Sequence, residues 1–444
     1  MRRLEAVIAG MAMAMAHGPA AHAEARTYQN PLPLRLADGA LAQNCADPAI
    51  LREPRARPAQ WYLYCTTDPV SRTEKEGAGW RFRLMPIYRS SDLVHWNFVA
   101  DAFTTRPAPA MPTAGLWAPE PVFHNGRYYL YYTITDVDDP HSPEAHCASD
   151  SAIGVATSAS PAGPWEPAPG LVVPPRRAGP GCDFHWTFDP DVVEAADGRR
   201  YLYYGSYGGG IYVQPLTADG LGVTGTPVRV GASGRYEGAE VVRHGADYYL
   251  FASSTDCCAG PLTGYSVFVG RARSPQGPFL DRFGNDMASP RPGGTPVLTQ
   301  NGNRWVGPGH NTVFADDTGQ WWTIYHAIDR ADPFFSVADK LTRRLANLDR
   351  LEWVDGWPVI ARGAGPTDTP QAAPGAAPTS APSPVPTRVT KLWRERFALG
   401  QPGPRWHWIG PQATPVGAGP GLRLTTEAGD LYQDRNDAGI LATP

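Results

Sequence analysis

The sequence predicts an all-β fold and, within that class, a five-bladed β-propeller. An aromatic, β-prone run occurs five times, and a shorter strand-forming segment precedes each run. The pairs recur at intervals of roughly 50 to 75 residues, which is enough for a four-stranded blade with its loops. A two-sheet sandwich would also contain many short strands, but it gives no reason for one hairpin to be repeated five times.

The aromatic run is the second strand of each predicted hairpin. Tyr, Trp and Leu dominate it, and these residues favour buried strands. The five runs are residues 61–64, 128–132, 201–204, 248–251 and 321–325.

The shorter segment is the first strand of each predicted hairpin. The five segments are residues 47–50, 118–122, 189–193, 237–242 and 309–313. Turn-forming pairs separate the two strands in the last four copies: Asn125-Gly126, Asp197-Gly198, His244-Gly245 and Thr318-Gly319. In a propeller the first strand of each blade lines the central channel, so the starts of these segments should converge at one mouth.

Titratable residues stand at several of these starts. Asp47, Asp189, Glu237 and His310 each open a first strand, and Trp117 to Glu120 occupies the same place in the second copy. Buried carboxylates lose hydration and repel one another, so a purely structural channel has no reason to gather them. The cluster therefore predicts an active site.

Three converging carboxylates suit the hydrolysis of a glycosidic bond, which needs one protonated acid and one ionised base or nucleophile. Crowding would hold one carboxyl protonated near neutral pH, and Glu237, with the longest side chain of the three, is the candidate acid. Asp191 and Glu240 are the alternatives to Asp189 and Glu237, but they lie further along their strands.

Three further residues have open roles. Trp117 is expected either to form a sugar platform or to pack between blades, and Glu120 is expected to contact substrate. His310 would either orient a ligand or an ion, or serve as a hydrogen-bonded structural histidine.

Composition excludes other classes of function. A formal charge of −4 and the lack of a Lys/Arg stripe argue against nucleic acid as a partner. The 14 Trp and 19 Tyr exceed what a core requires and suggest a surface that stacks on a ligand. No organic cofactor is expected, and a monomer is the default.

The N-terminus is typical of an export signal. Residues 1–23 begin with Met1-Arg2-Arg3, continue through an apolar run and end at Ala21-His22-Ala23. Glu5 beside the apolar run leaves a short membrane anchor or a misassigned start codon as the alternative. No later stretch is apolar enough to span a membrane. A secreted or periplasmic protein is expected, and its six cysteines should form disulfides rather than a metal site.

Residues 28 to 360 resemble glycoside hydrolase family 43, and especially its endo-arabinanase branch. The residues that carry the family resemblance are 46–48 (Ala-Asp-Pro), 91–96, 117–120 (Trp-Ala-Pro-Glu), 188–192, 236–239 and 307–311 (Gly-Pro-Gly-His-Asn). Residues 204–211, 257–260, 270–274 and 277–279 resemble the branch. The loop from Pro140 to Cys147 matches no familiar segment.

The resemblance implies an inverting hydrolase in which Asp47 is the general base, Glu237 the general acid and Asp189 the residue that tunes and orients the acid. In the branch a histidine that matches His310 helps to hold a hydrated calcium ion, which makes calcium a candidate ion in the channel. The implied substrate is a plant cell-wall polysaccharide, foremost α-1,5-linked arabinan.

Other activities remain open. An exo-acting α-L-arabinofuranosidase or β-xylosidase of the same fold would share the carboxylates and act on arabinan or arabinoxylan. A non-catalytic polysaccharide-binding propeller or a calcium-stabilised adhesion protein belongs to a different class.

The C-terminal part is expected to differ from the propeller, which we assign to residues 28–362. Residues 363–387 are rich in Pro, Ala, Thr and Ser, which predicts an extended linker. Residues 388–444 resemble the opening of a β-sandwich module, but they are fewer than the ~100 residues of a complete one. A small intact sugar-binding module is the alternative.

Overall fold

The computed structural model confirms a five-bladed β-propeller. It describes residues 27–338, 340–375, 407–409 and 440–442. Five antiparallel sheets, each formed from one continuous stretch of chain, surround a central channel. The inner strand of every blade contacts the inner strands of both neighbouring blades, and that of blade 5 contacts that of blade 1, so the ring is closed.

The strands run outwards from the channel in chain order within each blade. From the inside they are Ala49–Arg52, Trp61–Tyr64, Pro86–Ser90 and Trp96–Asp101 (blade 1); Leu116–His124, Arg127–Ile134, Ala152–Ser158 and Glu166–Pro167 (blade 2); Asp191–Glu194, Arg200–Tyr204, Tyr212–Pro215 and Val228–Arg229 (blade 3); Glu237–His244, Asp247–Ser254, Ser266–Ala272 and Thr295–Leu298 (blade 4); Trp305–Ala315, Trp321–Asp329, Leu345–Val354 and Trp357–Ile360 (blade 5). Leu34–Arg35 adds a fifth, parallel strand to the edge of blade 1.

The aromatic runs fill the space between blades because their side chains are buried on both faces of the second strands. All residues of Trp61–Tyr64 and Arg200–Tyr204 are buried. The turn between the first two strands of blade 2 forms as predicted, with Asn125 and Gly126 both at positive φ.

Short elements lie outside the blades. Lys75–Glu76 pairs with Gly79–Trp80, and Arg176–Arg177 pairs with Phe184–His185. Among the described residues the helical elements are single 3₁₀ turns, namely Asp139–His141, Gly260–Leu262 and Ala361–Gly363. In that part of the chain no helix has the length and apolarity needed to cross a bilayer.

The cysteines form disulfides, as expected. The pairs are Cys45–Cys65, Cys147–Cys182 and the adjacent residues Cys257–Cys258. The Cys147–Cys182 disulfide anchors the loop from Pro140 to Cys147, which matched no familiar segment in the sequence.

Two further segments, one before blade 1 and one after blade 5, add to the contacts that close the ring. Thr27–Tyr28 pairs with Gln371–Ala372. The Tyr28 hydroxyl and the Asn30 side-chain amide both donate to the carbonyl of Leu348, at 2.8 and 3.0 Å. We call the contacts of these two segments with blade 5 the seam.

This seam corrects the predicted start of the linker at residue 363. Residues up to 375 are described, and Ala373 is buried against the propeller. The Thr367 hydroxyl donates to Asp349 at 2.6 Å. Composition failed here because small and polar residues can dock through hydrogen bonds without large apolar side chains.

The remaining predictions for the chain ends fall mostly outside the described residues. This applies to the signal peptide at 1–23, to linker residues 376–387 and to most of the module at 388–444. Within that module His407–Ile409 and Ile440–Ala442 form an antiparallel strand pair.

Candidate active site

One residue in each inner strand, or just before it, has a left-handed backbone. These residues are Asp47, Ala118, Asp189, Gly238 and His310, with φ of 48°, 46°, 55°, 58° and 37°. Residues other than glycine rarely adopt this conformation, and clusters of such residues are typical of functional sites. The repetition places five equivalent positions around one mouth of the channel.

A repeated hydrogen bond fixes four of these positions. In each case a side chain just beyond the aromatic run of one blade accepts a hydrogen bond. The donor is the backbone N–H of the residue with left-handed backbone in the next blade. The bonds run from Ala118 to Thr66 Oγ1, from Asp189 to Thr133 Oγ1, from His310 to Ser253 Oγ and from Asp47 to His326 Nδ1. Blade 3 has Gly205 in the accepting position, and there the Asp189 carboxylate takes the Gly238 N–H at 2.9 Å.

Asp47 is held as an ionised carboxylate. Its Oδ1 lies 3.2 Å from Arg344 Nη1, 3.4 Å from His310 Nδ1 and 3.5 Å from His326 Nδ1. Burial alone would raise the pKa of Asp47, but Arg344, the histidines and the Thr66 hydroxyl outweigh it and lower the pKa to about 2. Burial lowers the pKa of both His310 and His326, so their rings are neutral and Arg344 supplies the charge.

Glu237 keeps its proton to a much higher pH than an ordinary carboxyl group. Burial raises the pKa of Glu237 to about 7, and the charge of Asp47 adds to this effect. The hydroxyls of Tyr265 and Ser206 donate to its two oxygens at 2.7 and 3.0 Å and oppose the shift only in part. Between about pH 2 and pH 7 the carboxyl groups of Asp47 and Glu237 therefore carry opposite protonation states.

Asp189 interacts with both of these groups. Burial and then the charges of Glu237 and Asp47 raise the pKa of Asp189 well above its usual value. Because it accepts the N–H of Gly238, it fixes the backbone directly after Glu237. The structure thus brings Asp47, Asp189 and Glu237 together.

A second carboxylate ring lies two residues further along the inner strands. Glu120, Asp191 and Glu240 are mutually close, and burial together with this repulsion raises the pKa of Glu120 and of Asp191. Each carboxylate accepts a backbone N–H from the inner strand of the next blade; Asp191 and Glu240 bind Val241 and Val313 at 3.0 and 2.6 Å. Glu120 therefore lies beside the alternative residues and not beside Glu237.

Exposed aromatic rings border the mouth. Trp117 is 38% exposed, and its ring lies 5.8 Å from that of Phe188, the residue before Asp189. Trp186 is 43% exposed, and its ring lies 5.7 Å from that of Phe188. The three rings form a continuous strip, which we call the aromatic rim, and such rings offer faces for stacking on sugars.

The surroundings of His310 suit a metal ligand only in part. A neutral imidazole can bind a metal, and burial keeps this ring neutral. Because Nδ1 faces Asp47, an ion would have to bind through Nε2. Calcium prefers six to eight oxygen ligands, so water would supply most of them.

Sequence reasoning missed four residues of the site: Arg344, His326, Tyr265 and Ser206. In an antiparallel blade the second strand ends and the third begins at the same mouth as the inner strand starts. Tyr265 and Arg344 immediately precede third strands, and His326 occupies the accepting position of the repeated hydrogen bond. Aligning the ends of all five aromatic runs would have singled out His326.

A propeller whose channel mouth holds an ionised and a protonated carboxyl group has the equipment of an enzyme that hydrolyses glycosidic bonds. The family model "Glycosyl hydrolases family 43" matches residues 40–358. The chain therefore belongs to glycosyl hydrolase family 43, and it is a glycosidase.

The chain is similar to two bacterial enzymes and to a solved structure. An extracellular exo-α-(1→5)-L-arabinofuranosidase of Cellvibrio japonicus is 30% identical over 352 residues, covering 73% of this chain and 88% of that protein. An extracellular endo-α-(1→5)-L-arabinanase of Bacillus subtilis is 28% identical over 330 residues, covering 72% and 88%. The solved structure of Cellvibrio cellulosa α-L-arabinanase complexed with arabinohexaose matches with a TM-score of 0.57 and 28% identity, over 71% of this chain and 95% of that chain.

Proposed function

We propose that the protein is an exported endo-acting arabinanase that hydrolyses α-1,5-linked arabinan with inversion of configuration. One observation carries the catalytic part of the proposal: the pKa of Asp47 is about 2 and that of Glu237 about 7, so over the pH range between these values one carboxyl group is ionised and the other protonated. The substrate is supported by the names of the similar proteins, which act on α-(1→5)-linked arabinose.

In the proposed reaction Glu237 donates its proton to the oxygen of the departing sugar. Asp47 accepts a proton from a water molecule, which attacks the anomeric carbon from the opposite face. One C–O bond forms as the other breaks, and the proton taken by Asp47 replaces in the protein the one that Glu237 gave up. Tyr265 and Ser206 fix the direction of the Glu237 carboxyl through their hydrogen bonds.

Asp189 acts by positioning in this scheme. Its hydrogen bond to Gly238 holds the backbone of the acid, and the charges of Glu237 and Asp47 raise its own pKa, so the three carboxyl groups do not all ionise together. His310, with water ligands, is the proposed holder of a calcium ion, which when bound would supply positive charge near Asp47.

The aromatic rim supports action on a polymer. Trp186 and Trp117 both contact Phe188, so the mouth offers more than one aromatic ring to a bound chain. Such a surface favours internal cleavage. An exo-acting α-L-arabinofuranosidase is the second candidate because one similar protein carries that name.

Product analysis on debranched arabinan tests the proposal, with xylan and aryl glycosides assayed in parallel. Short arabino-oligosaccharides that disappear in both Asp47→Ala and Glu237→Ala would support an endo-arabinanase. Arabinose as the only product would favour the exo-acting enzyme, xylose release a β-xylosidase, and binding without products would refute catalysis.

Two further measurements address the rest of the proposal. NMR of the first products formed would show an inverted anomer. Mass spectrometry of protein recovered outside the cytoplasm would show a chain that begins after residue 23.

A further inference from the structure

A cleft of about 510 Å³ opens on blade 4, away from the catalytic mouth. Asp247 begins the second strand of that blade, Ala272 ends its third strand, and Trp357 begins the outer strand of blade 5. In antiparallel blades these three points lie at the end opposite the starts of the inner strands. The cleft is therefore remote from Asp47 and Glu237.

Positive charge dominates the lining of this cleft. Three guanidinium groups line it, those of Arg271, Arg273 and Arg282, together with the carboxylates of Asp247 and Asp281. Asp247 pairs with Arg273 at 2.9 Å.

Asp281 does not neutralise the other two guanidinium groups. Its oxygens accept three backbone N–H groups and the side-chain amide of Asn285, so they bond within their own loop. Neither Arg271 nor Arg282 has a carboxylate partner among the residues that the structure describes.

These two guanidinium groups share one support. Their central carbons lie 4.9 Å and 5.5 Å from the centre of the Trp357 ring, which is itself buried. Arg271 also donates to the carbonyl of Gly356 at 3.5 Å. Stacking on an aromatic ring reduces the freedom of an arginine side chain, so the two groups are held ready for an anion.

The rest of the lining is apolar. Pro278 and Leu280 are exposed at the cleft, and Leu280 is 37% exposed. Carbon surface beside guanidinium groups suits a ring that carries a carboxylate, because arginine binds carboxylates through two parallel hydrogen bonds. Phosphate would use the same guanidinium groups but would leave the apolar wall unused.

We propose that this cleft binds a uronic acid unit of an acidic polysaccharide. Arg271 and Arg282 bind the carboxylate, and the sugar ring lies against Pro278 and Leu280. The site retains polymer at a surface remote from the catalytic centre, and it acts independently of the function proposed above.

Calorimetric titration with a trimer of galacturonic acid tests this proposal on the full chain. We expect the dissociation constant to rise at least tenfold in Arg271→Gln/Arg282→Gln and to stay unchanged in Arg229→Gln, an exposed arginine on blade 3. Hydrolysis of arabino-oligosaccharides should be the same in all of these proteins.

Neutral and inorganic probes separate the contributions. The methyl-esterified trimer and inorganic phosphate should bind at least tenfold more weakly than the acidic trimer. Equal binding of either probe, or an unaffected double variant, would overturn the proposal. Arg282→Gln alone, at an exposed side chain, should weaken binding while the melting temperature stays unchanged, which guards against misfolding at Arg271.

Discussion

Replacing Arg344 by methionine should raise the pKa of Asp47, so that protonation of this carboxylate becomes visible on the acid side of the activity profile. The guanidinium is the only charged cation within 3.5 Å of the Asp47 carboxylate among the described residues, since the two histidines are neutral. A fall in the pKa of Asp47 from 3.8 to about 2 corresponds to about 2 kcal/mol of net stabilisation of the ionised form. Burial opposes this fall, so the combined effect of the groups that lower the pKa, with Arg344 the largest of them, exceeds this net value.

Without Arg344, burial is left to raise the pKa of Asp47 above its ordinary value. A base must be ionised, so activity exists above the pKa of the base and is lost as the pH falls through it. The wild-type profile of kcat/KM should therefore stay flat down to about pH 4, and the variant should lose activity below a midpoint about two pH units higher than the wild type's.

Two companion variants make this test specific. Asp68→Asn removes the other carboxylate bound by Arg344, which lies 2.8 Å away, and should leave the acid side of the profile unchanged. Arg344→Lys keeps a charge and should shift the profile less than methionine does. A folded Arg344→Met variant with a flat profile down to pH 4 would refute the assignment of Asp47 as a base held ionised by Arg344.

Further predictions concern the acid, the base, a disulfide and the rim. Glu237 must be protonated to act, so kcat/KM should fall as the pH rises through about 7, and Glu237→Gln should lower it at least ~100-fold without changing the melting temperature; an unaltered alkaline side of the profile would exclude it as the acid. His326→Gln should lower kcat with little change in KM, because His326 holds the backbone of the base, whereas a pure rise in KM would contradict this role. Replacing Cys45 and Cys65 by serine should cost about 3 kcal/mol of unfolding free energy in urea titrations, as expected for a loop of 20 residues, and an unchanged midpoint would argue against this estimate. Trp186→Ala should raise KM for long arabino-oligosaccharides and not for a dimer, because the aromatic rim is proposed to bind the longer chain. Equal effects on both substrates would contradict this role of Trp186.

The fold was predictable because the propeller repeats its local pattern. Each aromatic run reports burial on both faces of a strand, and five copies at similar spacing leave few alternatives to radial repetition. The same repetition aligned unlike residues, which is why Asp47, Asp189 and Glu237 could be found without a structure. Asp191 could be set apart from Asp189 because a strand rises about 3.3 Å per residue, so a position two residues along lies further from the channel mouth.

Arg344 could not be found in this way. It is 297 residues from Asp47 in the chain, and no motif distinguishes it from the other arginines. Its importance arises only when blade 5 meets blade 1. The docking of Gln371–Ala372 against Thr27–Tyr28 likewise depends on tertiary contacts that composition does not encode.

The seam has a further consequence for the proposed catalytic base. Asp47 belongs to blade 1, whereas Arg344, His326 and His310 all belong to blade 5, so the groups that keep its pKa near 2 surround it only while the two ends of the domain are joined. The segment around Tyr28 and Asn30 holds that junction from the outside, far from the water it serves to activate. Fraying of these few residues would weaken the junction and let Arg344 and the neutral histidine rings move away from Asp47 while the blades are still folded. On gradual heating, hydrolysis should therefore be lost at a lower temperature than that at which the β-sheet signal in circular dichroism disappears. Loss of activity would then mark the opening of the ring.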